Sequence, residues 1–231
     1  MIIDFAVVIF VQFVVFILAA LFYKKKISGI FRVLFISTTI GLVAGLGSDY
    51  FLGQYHGLFH YELGFGFLFL VCNGIFSYGL FAALFGLSSD VRGISIASKY
   101  HLLIYASIIP IILILAYVDN VFIQTTTLGV LMLWIAESVL AFTRVRSPIL
   151  SLNVKKVFEI YLLSVYAGIT YEIINYFFQV WNWNIFPEAP AAFSFVMIIF
   201  CGYFGGGYMF WSLYQAVGAV INPQKDSSQR K

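Results

Sequence analysis

Apolar runs of about twenty residues recur from one end of this chain to the other, and each is long enough to cross a hydrocarbon core about 30 Å thick. The chain has 231 residues, of which 62% are hydrophobic and only 10% are charged, too little charge for a soluble domain of this length. A transmembrane β-barrel needs apolar and polar residues that alternate over segments of about ten, and no such alternation occurs. The sequence therefore predicts an all-α polytopic membrane protein.

The basic residues predict how this protein crosses the membrane. If the chain forms seven transmembrane helices, all 13 Lys and Arg residues fall on one side, in the loops after helices 1, 3 and 5 and in the tail. The positive-inside rule then gives an outside N-terminus and an inside C-terminus. We expect a multi-pass protein of a cytoplasmic or inner membrane, in contact with lipid and without a nucleic-acid partner. The expected spans are 2–23, a second that ends near Tyr50, 63–87, 102–118, a fifth that ends near Phe142, 157–178 and 191–217.

One motif occurs twice. Its first copy reads Ala44-Gly45, Asp49, Phe59-x-Tyr61 and Gly74-x-Phe76-x-x-Gly79, and its second reads Ala167-Gly168, Glu172, Trp181-x-Trp183 and Gly202-x-Phe204-x-x-Gly207. The copies are offset by 123 residues at the carboxylate, 122 at the aromatic pair and 128 at the glycines. Duplication is the simplest explanation. We expect two parallel three-helix repeats, 1–100 and 120–221, joined by a linking helix, 101–119, and followed by a disordered cytoplasmic tail, 222–231.

Asp49 and Glu172 are the candidate catalytic residues. An ionisable group in an apolar span is expensive, roughly 2.5–3.5 kcal/mol at the bilayer centre, and usually faces a partner or a cavity. Their equivalent positions predict that the two acids approach one another on the outer side, where they could share a proton. The alternative is that each acid only marks where its helix reaches water.

Aromatic and amide side chains surround these acids in the sequence. Aromatic walls above two acids could hold an apolar or a cationic ligand. The alternative is that they form the aromatic belt common to membrane proteins. The amides could hydrogen-bond a substrate or a neighbouring helix. The expected substrate-binding residues are Asn175, Asn73, Trp181, Trp183, Phe59, Tyr61 and His60.

His56 and His60 are four residues apart, and Glu62 follows them. On a helical turn both imidazoles would share a face, so a single metal ion bound by these three side chains is an open alternative. The other interpretation is that they are interfacial histidines. We predict no metal and no other cofactor.

At the duplicated motif the chain resembles the membrane lycopene-cyclase type of carotenoid enzyme. That family is also built from two three-helix repeats, joined in some members by a linking helix. The family's proline-x-glutamate-glutamate run has a partial counterpart in Pro187-Glu188 and none in the first copy. The resemblance implies a cyclase-like isomerase that acts on a carotenoid or another isoprenoid. The residues that carry it are Asp49, Phe59 and Tyr61 in the first copy and Glu172, Trp181 and Trp183 in the second.

Three functions follow from these observations. The first is a membrane enzyme in which Glu172 and Asp49 perform acid–base chemistry on a lipophilic molecule in an outer-side cavity. The second is a small-solute or proton-coupled transporter with its pathway between the repeats, in which the same acids carry protons or bind a polar solute. The third is an accessory subunit that packs against other membrane proteins or against a second copy of the chain.

Overall fold

The computed structural model describes residues 2–24, 26–55, 57, 59–62, 66–88, 106–118, 121–143, 145–184 and 191–221. Within these ranges the chain forms seven helices and two short strands. The predicted tail 222–231, His56, Pro187-Glu188 and the first residues of the predicted linking helix lie outside the described residues. The elements are α1 (Ile2–Phe22), α2 (Ile27–Ser48, continued by the π-helical segment Asp49–Tyr55), β1 (Phe59–Tyr61), α3 (Phe67–Asn73, the π-helical segment Gly74–Tyr78, and Gly79–Leu87), α4 (Ile108–Tyr117), α5 (Val121–Phe142), α6 (Val154–Phe178), β2 (Trp181–Trp183) and α7 (Ala191–Met197, the π-helical segment Ile198–Gly202, and Tyr203–Ile221).

The helices are those of a membrane-embedded protein. Five of them, α1, α2, α3, α6 and α7, are long and apolar enough to cross a bilayer. Large apolar side chains stay exposed along them, for example Phe35 at 77% and Phe67 at 80%, a surface that lipid tolerates and water does not. The expectation of a helical membrane protein is thus confirmed in its coarse form. The seven spans and their orientation stay predictions. The helix α4 has only 10 residues, and the apolar part of α5, Thr126–Phe142, is shorter than the other spans.

A small β-ribbon departs from the all-α expectation. Strands β1 and β2 pair antiparallel, with Phe59 opposite Trp183, His60 opposite Asn182 and Tyr61 opposite Trp181. The two aromatic turns of the duplicated motif form these strands. Their register is symmetric about the central pair, His60 and Asn182, as a local two-fold axis through that pair requires. Three-residue strands are too short to give a periodic signal in the sequence, so only the pairing of the turns reveals them.

Two residues with positive φ direct the chain into this ribbon. Gly57, at φ +63°, lies in the turn between α2 and β1, where the left-handed conformation favours glycine. Gln179, at φ +47°, caps the C-terminus of α6, and its backbone N–H donates to the Asn175 carbonyl at 2.7 Å. This left-handed cap ends the helix and sends the chain into β2.

Close glycine contacts hold α2 against α3, as the shared glycine motif predicts. A Cβ atom on Gly41 would lie 2.3 Å from the backbone nitrogen of Gly79, so the two backbones touch at this point. The core around this contact is aromatic and aliphatic. Its largest fully buried side chains include Phe16, Leu84, Phe85, Tyr208 and Phe210.

Polar contacts connect the helices at the end of the bundle opposite the ribbon. Lys156 of α6 donates to the carbonyl of Ser88 at 2.9 Å and to Glu159 at 2.6 Å, and Tyr23 donates to the other oxygen of Glu159 at 3.0 Å. Burial and the neighbouring Glu159 raise the pKa of Tyr23, which keeps its hydroxyl a donor. These contacts join α1, α3 and α6.

Candidate functional site

Asp49 is the first residue of the π-helical segment that continues α2, and it is fully buried. Its Oδ1 accepts hydrogen bonds from the hydroxyls of Tyr61 and Tyr78, both at 2.8 Å, and its Oδ2 accepts one from Asn73 Nδ2 at 3.0 Å. Asn73 Nδ2 also donates to the Tyr61 oxygen at 2.8 Å. Helix α2, the ribbon and α3 therefore converge on one carboxylate, and both of its oxygens are used.

Glu172 lies nearly two turns before the end of α6 and is 4% exposed. Its donors are Tyr203 Oη at 2.7 Å, Trp183 Nε1 at 2.9 Å and Trp181 Nε1 at 3.4 Å. All three reach the same oxygen, Oε1. Among the described residues neither carboxylate forms an ion pair with a Lys or Arg side chain, so neutral donors alone stabilise both groups.

The two tyrosines from the returning helices occupy similar positions. Tyr78 is the last residue of the π-helical segment in α3, and Tyr203 follows directly on the π-helical segment in α7. The ring of Tyr78 packs over Gly45 and that of Tyr203 over Gly168, where a Cβ atom would come within 2.7 Å and 3.1 Å of the respective rings. Such segments are rare and often found at functional sites, because the extra residue turns the following side chain onto a new face. Here it directs a hydroxyl to each carboxylate.

The ribbon connects the two acids. Tyr61, a donor to Asp49, lies opposite Trp181, a donor to Glu172. Both carboxylates therefore sit beneath the same two strands, at the same end of the helices. They do not share a proton directly, since their hydrogen bonds go to separate sets of donors within the described structure.

A cavity of about 570 Å³ lies between the ribbon and helices α3, α5 and α7. Its wall is mainly aromatic and aliphatic. The polar atoms of the wall include the donors to the carboxylates, namely Tyr61, Asn73, Tyr78, Trp181, Trp183 and Tyr203. Residues of α5 and α7 that are partly exposed, such as Val130 and Cys201, also line it.

The expected site residues divide into those that line the cavity, those that lie behind its wall and those that lie away from it. Phe59, Tyr61, Trp181, Trp183 and Asn73 line the cavity, where the sequence placed a substrate. The expected catalytic residues, Asp49 and Glu172, lie behind this wall and contact it through their donors.

Asn175 and His60 lie away from the cavity. The Asn175 side chain accepts from Trp181 N at 3.0 Å and donates to Trp181 O at 2.7 Å, so it anchors β2 to the end of α6. His60 points to the exposed face of the ribbon, opposite to Phe59 and Tyr61, because side chains alternate along a strand. The substrate-binding roles expected for these two residues stay predictions.

The exposed face of the ribbon carries the candidate metal ligands that the structure describes. Asn182 Nδ2 donates to Glu62 at 2.6 Å, and His60 Nε2 lies 3.8 Å from the same carboxylate oxygen. His56 lies outside the described residues. The described ranges contain no group of three or more His, Cys, Asp or Glu side chains that could hold a metal ion.

Sequence reasoning missed four residues of the site. Tyr78 and Tyr203 stand next to the shared glycines, Gly79 and Gly202, but tyrosine is too common in this chain to attract notice. The other two missed residues are Gln12 and Tyr171, whose polar atoms inside apolar helices are a signal that could have found them.

Tyr61 was among the expected residues. Burial raises the pKa of Tyr61 well above its usual range, and the Asp49 carboxylate raises it further, so this hydroxyl stays protonated.

No protein-family model, curated protein or solved structure matches this chain.

Proposed function

We propose that this protein is a membrane enzyme that binds a lipophilic molecule in the cavity beneath the ribbon and acts on it by acid–base chemistry. The observation that carries the proposal is the wall of the cavity. It is apolar, and its few polar atoms are hydroxyl, indole and amide groups hydrogen-bonded to two buried carboxyl groups. An apolar pocket with a few convergent polar groups is the usual form of a small-molecule site.

The chemistry that suits this arrangement is the transfer of a proton to and from a carbon–carbon double bond. A carboxylic acid donates its proton through the tyrosine hydroxyl that separates it from the cavity, and the π electrons form a new C–H bond. The resulting cation closes a ring or shifts its double bond and loses a neighbouring proton to the second unit. One proton enters and one leaves, so the product is an isomer of the substrate. Glu172 with Tyr203 and Asp49 with Tyr78 are the two units.

The resemblance to membrane lycopene cyclases suggests a polyene isoprenoid as the substrate class. The mainly apolar wall of the cavity supports this class, because it suits a lipophilic molecule. A cavity of about 570 Å³ has the size of a usual small-molecule site.

We further propose seven spans in an inner membrane, with the ribbon outside. The support is the distribution of basic residues, since Lys24, Lys26, Lys155 and Lys156 lie at the helix ends opposite the ribbon. Fusions of a reporter that is active on one side of the membrane only, placed after Asp49 and after Lys155, would test this orientation. Equal reporter activity at both positions would contradict it.

The decisive experiment is Glu172→Gln in purified protein. Lipophilic molecules that co-purify are extracted and identified by mass spectrometry, and their conversion is followed in lipid nanodiscs. We expect the variant to fold and to bind but not to convert, because the amide carbonyl can accept the same three donors while the exchangeable proton is gone. Glu62→Gln is the control, since this carboxylate lies exposed on the other face of the ribbon.

The outcomes separate the candidate functions. A fully active Glu172→Gln variant would refute the site. Solute uptake into proteoliposomes that requires Glu172 would favour the transporter, and other membrane proteins that co-purify in fixed stoichiometry would favour the accessory subunit.

A further inference from the structure

Asn175 joins the end of α6 to the strand that carries the indole donors of Glu172. It lies in the last turn of α6, is 8% exposed, and follows Glu172 by three residues, so the two side chains are neighbours on one face of the helix. Its backbone carbonyl accepts the hydrogen bond from Gln179 N that ends the helix. Its side chain uses both of its polar atoms on Trp181, accepting from the backbone N–H at 3.0 Å and donating to the carbonyl at 2.7 Å.

The backbone of Trp181 depends on this amide because it points away from the partner strand. Val180 O accepts from Glu62 N at 3.0 Å, and in an antiparallel pair the N–H and C=O groups of the next residue point to the opposite side. The amide of Asn175 therefore takes the place of a neighbouring strand. Its orientation follows from its partners, since exchanging its oxygen and nitrogen would set two donors and two acceptors against each other.

The strand held in this way carries donors back to the same helix. Trp181 Nε1 and Trp183 Nε1 reach Glu172 Oε1 at 3.4 Å and 2.9 Å, from the same face of β2. The side chain of Asn175 also interacts with the Glu172 carboxyl group. Glu172, the indole groups, the strand backbone and Asn175 thus form a closed ring of contacts around one turn of α6.

We propose that Asn175 is a positioning residue for Glu172, which holds β2 so that both indole N–H groups stay on Oε1 and Oε2 is left to carry the proton. Trp181 and Trp183 belong to the described wall of the cavity and Asn175 does not, so this role acts through the strand. The inference rests on the proposed function, in which Glu172 is the proton donor. Among the common side chains of this size, an amide or a protonated acid can accept and donate at once, whereas leucine can do neither and a carboxylate can only accept.

Infrared spectroscopy of the purified protein in lipid nanodiscs tests this role at the carboxyl group itself. The carbonyl stretching band of protonated Glu172 is the acid band that disappears in Glu172→Gln. With the proton on Oε2, Oε1 is the carbonyl oxygen, so each donor that it loses moves the band to higher wavenumber. We expect Asn175→Leu to shift the band at least as far as Trp181→Phe, because it loosens both indole donors whereas Trp181→Phe removes one.

A rescue and a matched control separate positioning from a general loss of stability. Asn175→Asp should return the band to its original position at low pH, where the introduced acid is protonated and can accept and donate as the amide does. Each variant is compared with the same variant carrying Glu172→Gln, so the band of the introduced acid cancels. Asn182→Ala is the control, since Asn182 lies on the same strand but donates to Glu62 on the exposed face of the ribbon. This change should not move the band.

The spectra are recorded well below the melting temperature of each variant, and Asn175→Ala replaces Asn175→Leu if the leucine variant does not fold. An unmoved band in the folded variant, or an equal shift in Asn182→Ala, would overturn this inference and leave the proposed function intact. If no Glu172-dependent acid band exists at any pH at which the protein stays folded, both are overturned, because a proton donor has to hold a proton.

Discussion

The hydrogen bonds of Asp49 lead to a sharp prediction for Asp49→Asn. In the protein both carboxylate oxygens accept, Oδ1 from two tyrosine hydroxyls and Oδ2 from Asn73 Nδ2 at 3.0 Å. The substitution keeps the shape of the side chain but replaces one acceptor by an NH₂ group. If its oxygen stays with the tyrosines, two amide NH₂ groups face each other at this short distance.

Turning the Asn73 amide does not repair the contact. Its Nδ2 also donates to Tyr61 Oη at 2.8 Å, and that bond is lost when the oxygen of the amide takes its place. One hydrogen bond is therefore lost in either orientation, which costs about 1–3 kcal/mol at a buried site. The two bonds from tyrosine become neutral and weaken by about 0.5 kcal/mol each. We expect unfolding to become easier by about 2–4 kcal/mol.

The exchange of the two residues tests this reasoning. Asn73→Asp alone places two carboxylates beside one another in a buried site and should be more harmful than Asp49→Asn. In the double variant Asp49→Asn/Asn73→Asp the amide at position 49 donates to the carboxylate at position 73, and every hydroxyl again has an acceptor. We therefore expect the double variant to be more stable than either single variant, a coupling of at least about 1 kcal/mol.

Unfolding can be followed with a dye that reacts with thiols as they become accessible. Cys72 lies next to Asn73 and is partly buried, whereas Cys201 is exposed, so the measurement uses a Cys201→Ser background. A loss of about 2–4 kcal/mol should lower the melting temperature by roughly 5–15 °C for a chain of this size. If the losses in melting temperature of the two single variants simply add in the double variant, the hydrogen-bond network described for Asp49 is refuted.

Two further predictions concern the packing of the helices and are measured with the same unfolding assay. Gly41→Ala should cost about 1–3 kcal/mol, because its Cβ would lie 2.3 Å from the backbone of Gly79. Gly47→Ala, on the same helix with no atom within 4 Å, should instead stabilise by about 0.5–1 kcal/mol, and equal effects would contradict the close approach. Lys156→Met should cost about 1–2 kcal/mol, since it removes bonds to a carbonyl of α3 and to a carboxylate of α6. Lys155→Met changes an exposed neighbour, and its free energy of unfolding should stay within about 0.5 kcal/mol of that of the unmodified protein. Similar losses for both lysines would contradict a stabilising role of the Lys156 contacts.

The helices could be predicted from the sequence because bilayer-length apolar runs leave few alternatives. The first helix was expected at 2–23 and ends at Phe22, and the fifth ends at Phe142 as expected. The end of α2 was placed too early, near Tyr50, because the polar residues after it suggested a turn. The chain instead continues as a π-helical segment to Tyr55, a conformation without a sequence pattern of its own.

The site was partly predictable for a similar reason. Two acids in apolar spans and two aromatic turns are unusual enough to be noticed, and the structure brings them under one ribbon. Which atoms face the cavity depends on strand pairing and helix phase, and these are tertiary features. The sequence thus could not show that His60 lies on the exposed face of its strand, away from Phe59 and Tyr61, and it gave no sign that Tyr203 donates to Glu172.

The two carboxyl groups have similar positions but different capacities to carry a proton. Both oxygens of Asp49 accept hydrogen bonds, so a proton on Oδ1 displaces a tyrosine donor, and a proton on Oδ2 weakens the bond from Asn73. The Tyr203 hydroxyl and the two indole N–H groups all reach Oε1 of Glu172, so a proton on Oε2 leaves those three bonds in place. The Asn175 side chain also interacts with this carboxyl group. Replacement of the carboxyl group by an amide should therefore destabilise the protein at Asp49 and leave it folded at Glu172. In the proposed reaction this difference favours Glu172 as the proton donor and Asp49 with Tyr78 as the unit that receives the proton.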